Sequence, residues 1–183
     1  MSLRIVGFAG SLSHPSKTRA LVDLVATRAA VALGATAATY DLTDLQPSLG
    51  AAQSLDDLDG LPRAIVDSIL SADALVVGSP VYKGSYTGLF KHLFDLIDPA
   101  ALAGKPVLLT ATGGGDKHAL VIEHQLRPLF GFFEATTLPI GVYASGVDFI
   151  DGVPASVALL TRIDRAVSQY PKGLQHLPAA TAA

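Results

Sequence analysis

Apolar residues fall along this chain in two kinds of run: short unbroken ones, and longer ones in which they recur every three or four positions. Leu3, Ile5, Val6 and Phe8 mark the first short run, which stops at Ala9-Gly10-Ser11, where small residues let the backbone turn sharply. From Thr18 onward Leu21, Leu24, Val25 and Ala29 keep helical spacing up to Gly34, a residue suited to ending a helix. A second strand is expected over 37–42. Residues 43–60 hold Pro, Gly, Asp and Ser with little periodicity and read as a connecting loop, followed by a helix over 61–70. Ala74-Leu75-Val76-Val77-Gly78 is continuously apolar, the pattern of a strand covered on both faces and therefore in mid-sheet.

The best amphipathic helix begins after Ser85, with Leu89, Phe90, Leu93, Phe94 and Ile97 on one face, Lys91, His92 and Asp95 on the other, and Pro99 at its end. A fourth strand over 107–111 runs into Gly113-Gly114-Gly115, and a helix from about Lys117 carries Ala119, Ile122, Leu126, Leu129 and Phe133. A fifth strand is expected over 138–143 and a last helix over 154–168. Strands alternating with helices imply an α/β domain, a parallel sheet with helices on both faces. No repeat or linker divides it, so 1–170 is expected as one domain and 171–183 as a disordered tail.

Half of the 183 residues are hydrophobic, enough for a substantial core. The formal charge of −3 and the absence of any Lys/Arg cluster argue against nucleic acid as a partner. Cysteine is absent, which removes disulfides, thiolate metal sites and thiol nucleophiles. The first residues lack the pattern of a secretory signal, and no apolar run approaches the roughly 20 residues of a bilayer span, so a cytoplasmic protein without membrane contact is expected. There is no G-x-S-x-G elbow, and His14, His92, His118, His124 and His176 show no metal-ligand spacing, so no metal is expected.

In an open parallel sheet a ligand lies beyond the carboxyl ends of the strands. Three loops fall at that edge. The first, residues 10–19, is crowded with hydroxyls and leads into a helix N-terminus, where unpaired amides and the helix dipole favour an anion. Ser11, Ser13, Ser16 and Thr18 suit a phosphate monoester, and Lys17 and Arg19 can offset its charge. A polar turn with an N-cap would use the same residues. Neither G-x-x-x-x-G-K-[ST] nor G-x-G-x-x-G follows any strand, which leaves a mononucleotide with one terminal phosphate.

The second loop offers Pro80, Val81, Tyr82, Lys83, Gly84 and Ser85, a combination suited to a flat ring such as an isoalloxazine that must approach backbone closely. Taken singly, Tyr82 is also a surface aromatic and Lys83 a solvated charge. In the third loop, Thr112, Gly113, Gly114 and Gly115 expose amides that can lie against the ring's pyrimidine edge, or simply make a flexible turn. His118 borders the site, as an edge contact to the ring or as an ordinary loop histidine. Hydride transfer between nicotinamide and flavin needs stacking and orientation more than an acid or base, because the cofactors carry the chemistry.

Together these stretches resemble the NADPH-dependent FMN reductase family, over about residues 3–168, and more narrowly the flavin reductases of two-component alkanesulfonate and methanesulfonate monooxygenase systems. The resemblance implies a flavodoxin-like three-layer sandwich with a five-stranded parallel sheet in the order 2-1-3-4-5. It implies FMN and NADPH (or NADH) as cofactors, with Ser11, Ser13, Ser16, Thr18 and Arg19 holding the FMN phosphate, residues 80–85 lining the ring and 112–115 completing the pocket. Many relatives carry Arg where this chain has Ser13, so phosphate binding leans on Arg19 and Lys17 or is weaker. Sulfonate-type relatives carry an inserted residue that makes a π-bulge in the helix over 117–133, at a tetramer interface; His124 occupies that position, while Pro128 is a second source of distortion. The implied partners are a flavin-dependent monooxygenase that receives reduced FMN and further copies of the chain in a homodimer or homotetramer. An FMN-retaining quinone or azo reductase, or a flavodoxin-type electron carrier, would use the same loops, although the near-balanced charge counts against a carrier.

Overall fold

The computed structural model describes residues 2–174. Strands β1 (Arg4–Ala9), β2 (Thr36–Asp41), β3 (Ala74–Pro80) and β4 (Pro106–Gly113) run parallel in the order β2-β1-β3-β4. The fifth position is shared by β5 (Thr136–Thr137), which pairs with the start of β4, and β6 (Val142–Ser145), which pairs with its end. This is the 2-1-3-4-5 order of a flavodoxin-like fold, the architecture expected.

Helices α1 (Lys17–Leu33), α2 (Gly60–Leu70), α3 (Gly88–Asp95), α4 (Arg127–Phe132) and α5 (Val157–Val167) cover both faces. Alternation along the strands divides the core in two, since successive side chains point to opposite faces. Ile5, Ala9, Val76, Leu108 and Val142 pack against Leu21, Val22 and Val25 of α1 and Ile163 of α5. Val6, Phe8, Leu75, Val77 and Leu109 pack against α2, α3 and α4. On that second face Phe94 is the hub, its ring centroid 4.8 Å from Phe90, 4.9 Å from Phe130, 6.1 Å from Phe133 and 6.4 Å from Phe8.

The structure departs from the sequence reading in four places. Residues 43–60 contain three short 3-10 turns rather than a plain loop, and Leu45, Leu49 and Leu58 are buried in the core. The helix expected from Lys117 is instead a 3-10 turn (Asp116–His118), a π-helical turn (Ile122–Leu126) and the short α4. The fifth strand breaks at Pro139, Ile140 and Gly141. Proline has no amide for the ladder, and side chains take over the local backbone groups: Arg127 donates to the carbonyls of Leu138 (2.9 Å) and Pro139 (3.3 Å), Arg162 to that of Gly141 (2.7 Å). Finally, the last helix starts at Val157, because an antiparallel pair, β7 (Phe149–Ile150) and β8 (Val153–Pro154), precedes it. Its turn residues Asp151 and Gly152 have φ of 50° and 82°, the left-handed pair that a two-residue hairpin requires.

Tyr170 is buried, and its hydroxyl donates to the carbonyl of Leu75 (2.8 Å). Residues 171–174 make a turn that packs Leu174 against the α1/α5 core. The remainder of the expected tail, 175–183, lies outside the described residues, as does His176.

Truncating the aromatic hub should be costly. Phe94→Ala is expected to lower the unfolding free energy by about 3–5 kcal/mol, read as a shift in the urea midpoint with an unchanged slope.

Candidate active site

The three loops meet at the carboxyl edge through a small set of hydrogen bonds. The Gly10 amide donates to the Gly78 carbonyl (2.7 Å), the Thr87 hydroxyl donates to the Gly10 carbonyl (2.9 Å), and the Thr87 amide donates to the Ser79 hydroxyl (3.1 Å), which ties the first loop to the second. The Val81 amide donates to the Thr112 carbonyl (2.8 Å), tying the second to the third. The hydroxyls of Thr18 and Thr112, both buried, lie 2.7 Å apart and close the triangle between the third loop and the first. Gly10 has to be glycine here, since a Cβ would lie 2.6 Å from the Phe90 ring.

In the first loop Ser16 caps α1, its hydroxyl accepting from the Arg19 amide (3.1 Å). The amides of Lys17 and Thr18 therefore head a 17-residue helix without an intrahelical acceptor, the usual seat of an anion. Ser11 is buried, with its hydroxyl 3.1 Å from that of the exposed Ser13. The Lys17 ammonium sits over the Phe149 ring, 5.4 Å from its centroid.

Two residues are placed differently from the expectation. Arg19 turns away from the loop: its Nη1 lies 2.8 Å from Asp41 and 2.9 Å from Asp44, and its Nη2 donates to the Thr39 carbonyl (3.1 Å). Burial alone would raise the Asp41 carboxyl, but the adjacent Arg19 guanidinium and the hydrogen bonds from Thr43 outweigh it and hold the group below the usual carboxylate range. Thr18 directs its hydroxyl into the Thr112 contact, so of the two groups only its amide faces the anion seat.

The second loop is a tight hairpin. Tyr82 and Ser85 exchange backbone hydrogen bonds of 2.9 and 3.2 Å, with Lys83 and Gly84 between them at φ of 53° and 87°. Pro80 and Val81 are half-buried, Val81 against the core, while Tyr82 stands exposed. The Ser85 hydroxyl donates to Gln125 Oε1 (3.0 Å), which the sequence reading had not connected to the site. Gln125 lies in the π-helical turn, with His124 at its centre, so the turn implied for His124 is present and buttresses the second loop.

In the third loop Gly114 and Gly115 have open space where a side chain would stand. The Gly115 carbonyl accepts from the Tyr143 hydroxyl (2.5 Å), and His118 is half-buried at the end of the same turn. Tyr143 was not among the expected site residues. Its position in β6, beside the carboxyl end of β4 and the glycine run that follows, is the signal that would have found it.

The arrangement fits FMN: helix-head amides and serine hydroxyls for a phosphate, a half-buried apolar wall for a ring, and an open glycine backbone for the ring's polar edge. Among the described residues no group of three or more His, Cys, Asp or Glu side chains is placed to hold a metal ion.

Fold and site together define a flavodoxin-like oxidoreductase that binds a mononucleotide cofactor. The family model described as NADPH-dependent FMN reductase matches residues 3–149. The chain belongs to that family, whose enzymes use FMN and NAD(P)H. It is 48% identical to "FMN reductase (NADPH)" of Pseudomonas aeruginosa over 87% of this chain and 86% of that protein. It is also 48% identical to "NADH-dependent FMN reductase SfnF" of Pseudomonas fluorescens, over 88% and 86% of the two chains. Among solved structures, an oxidoreductase from Corynebacterium diphtheriae superposes with a TM-score of 0.81 at 35% identity, covering 92% of this chain and 95% of that one.

The Asp41 pairing sets a pH dependence. Because the carboxyl is depressed in the folded state, its contribution is complete above the unfolded-state value near pH 4 and is lost as pH falls through the lower folded-state value. Asp41→Asn is expected to cost about 1–3 kcal/mol at neutral pH, with the deficit shrinking below about pH 4; a deficit that stayed constant in acid unfolding curves would contradict the pairing.

Proposed function

We propose that this enzyme oxidises NADPH or NADH and reduces FMN that it holds loosely, the reduced FMN leaving for a separate flavin-dependent monooxygenase of sulfonate sulfur assimilation. The observation that carries the loose binding is the engagement of Arg19 by Asp41 and Asp44. It leaves the anion seat to amides, serine hydroxyls and the exposed Lys17. The names of the Pseudomonas relatives support the hydride donor and the acceptor.

The amides of Lys17 and Thr18 with Ser11, Ser13 and Ser16 would hold the phosphate, Pro80, Val81 and Tyr82 would flank the ring, and 113–115 would meet its polar edge. FMN, when bound, supplies the two-electron acceptor; each turnover consumes one NAD(P)H and one proton from solvent. The chain's own part is to orient the two planar groups and to exclude water from between them, so no acid or base is required of it. Among the described residues no helix is long and apolar enough to cross a membrane. The exposed apolar side chains Leu120 and Phe132 support a homo-oligomer.

Initial rates of NADPH and NADH oxidation are expected to rise with free FMN and saturate, and the purified protein to carry little flavin. A yellow protein whose rate ignores added FMN, but rises with a quinone, would overturn free FMN as the substrate. Ser13→Arg places a guanidinium at an exposed position of the phosphate loop and is expected to tighten FMN about fivefold while leaving riboflavin binding unchanged, as titrated by flavin fluorescence.

A further inference from the structure

Of the three consecutive glycines, Gly113 alone has a steric reason to be glycine, and that reason is a single oxygen atom. A Cβ on Gly113 would lie 2.3 Å from the Tyr143 hydroxyl oxygen and 3.2 Å from the ring carbon that bears it, whereas Gly114 and Gly115 have nothing within reach. The same hydroxyl donates to the Gly115 carbonyl at 2.5 Å. Tyr143 therefore meets both ends of the glycine run, one by contact and one by hydrogen bond.

Its strand explains the reach. Tyr143 lies beside Ala111 in the β4·β6 pairing, and its neighbours Val142 and Ala144 belong to the α1/α5 core. Alternation turns the phenol to the opposite face, where it is half-buried against the other core. The glycine run leaves β4 over that same face. Because glycine restricts its own backbone least of any residue, a three-glycine segment needs an external tie to hold one conformation. The Gly115 carbonyl also receives the His118 amide (3.4 Å), so the tied residue begins the turn that carries His118.

We propose that Tyr143 is a positioning residue for the flavin ring: its hydroxyl fixes the backbone of 113–115, and thereby sets how tightly the ring's polar edge is received. The proposal rests on the reading above that this backbone faces the ring. It makes Gly113 and the Tyr143 hydroxyl two halves of one device, the missing side chain providing the room that the oxygen occupies.

The test is a double-variant cycle read by quenching of flavin fluorescence on the flavin-free protein, with FMN and riboflavin titrated in parallel. Tyr143→Phe is expected to weaken both ligands about fivefold and equally, because the ring and not the phosphate is affected, while the thermal midpoint without flavin stays within about 2 °C of the parent. Gly113→Ala is expected to weaken both more than about tenfold, since the new methyl meets the hydroxyl. Adding Tyr143→Phe to Gly113→Ala is expected to bring both ligands back to the roughly fivefold loss of Tyr143→Phe alone, the reverse of additivity. The proposal is overturned if Tyr143→Phe leaves both dissociation constants within about twofold of the parent, if only FMN binding falls, or if the two substitutions add. A parent that binds FMN while any of these holds overturns the positioning role alone; a parent that quenches no flavin overturns the reading of the site, and the proposal with it.

Discussion

Thr18 and Thr112 stand 94 residues apart in the chain, yet their hydroxyls lie 2.7 Å apart in the interior. A buried hydroxyl without a partner is costly, so the pair behaves as a lock: separating α1 from the end of β4 would strand two polar groups at once. The close approach depends on Gly78, where a Cβ would lie 2.2 Å from the Thr110 hydroxyl and 2.7 Å from Val22 of α1. Helix α1 can therefore sink onto the sheet and bring its amino end beside the third loop.

The electrostatics follow a similar economy of groups. A guanidinium within the phosphate loop would be expected to dominate anion binding, but Arg19 joins α1 to the end of β2 through Asp41 and Asp44, and its charge is matched before any ligand arrives. Among the described residues the cation near the loop that no carboxylate holds is Lys17, over the ring of Phe149. A seat built mainly of neutral donors holds a dianion less firmly than one built of guanidinium groups. That is the property an enzyme needs if its flavin is a reactant passed on to a partner.

The π-helical turn joins these parts to the sheet's outer edge. Arg127 forms a two-point ion pair with Glu123 (2.6 and 2.9 Å) and also donates to carbonyls in the gap between β5 and β6. Ile122 fills the space over Gly141, where a Cβ would lie 2.5 Å from its side chain. Gln125, one residue beyond His124, then meets Ser85. A wider turn at this point thus serves two surfaces, one closing the interrupted strand and one supporting the hairpin of the second loop.

The alternation of apolar runs and helical stretches was enough to define the parallel arrangement and the edge where the three loops gather, because β1, β3 and β4, buried on both faces, each carry a continuous apolar run of their own. The helix-head serines and the glycine run were legible for the same reason, being local. What local pattern could not carry were the partners of polar side chains. Arg19 reads as a phosphate ligand until β2 brings Asp41 and Asp44 to it, and Tyr143 reads as an ordinary strand aromatic until the glycine run folds over it. The core leucines within 43–60 and the π-helical turn belong to the same class, since each is settled by what another part of the chain supplies. Residue type and spacing set the secondary structure and the sheet; the choice of partner for each charge and hydroxyl was made by long-range packing, which a single stretch of sequence does not contain.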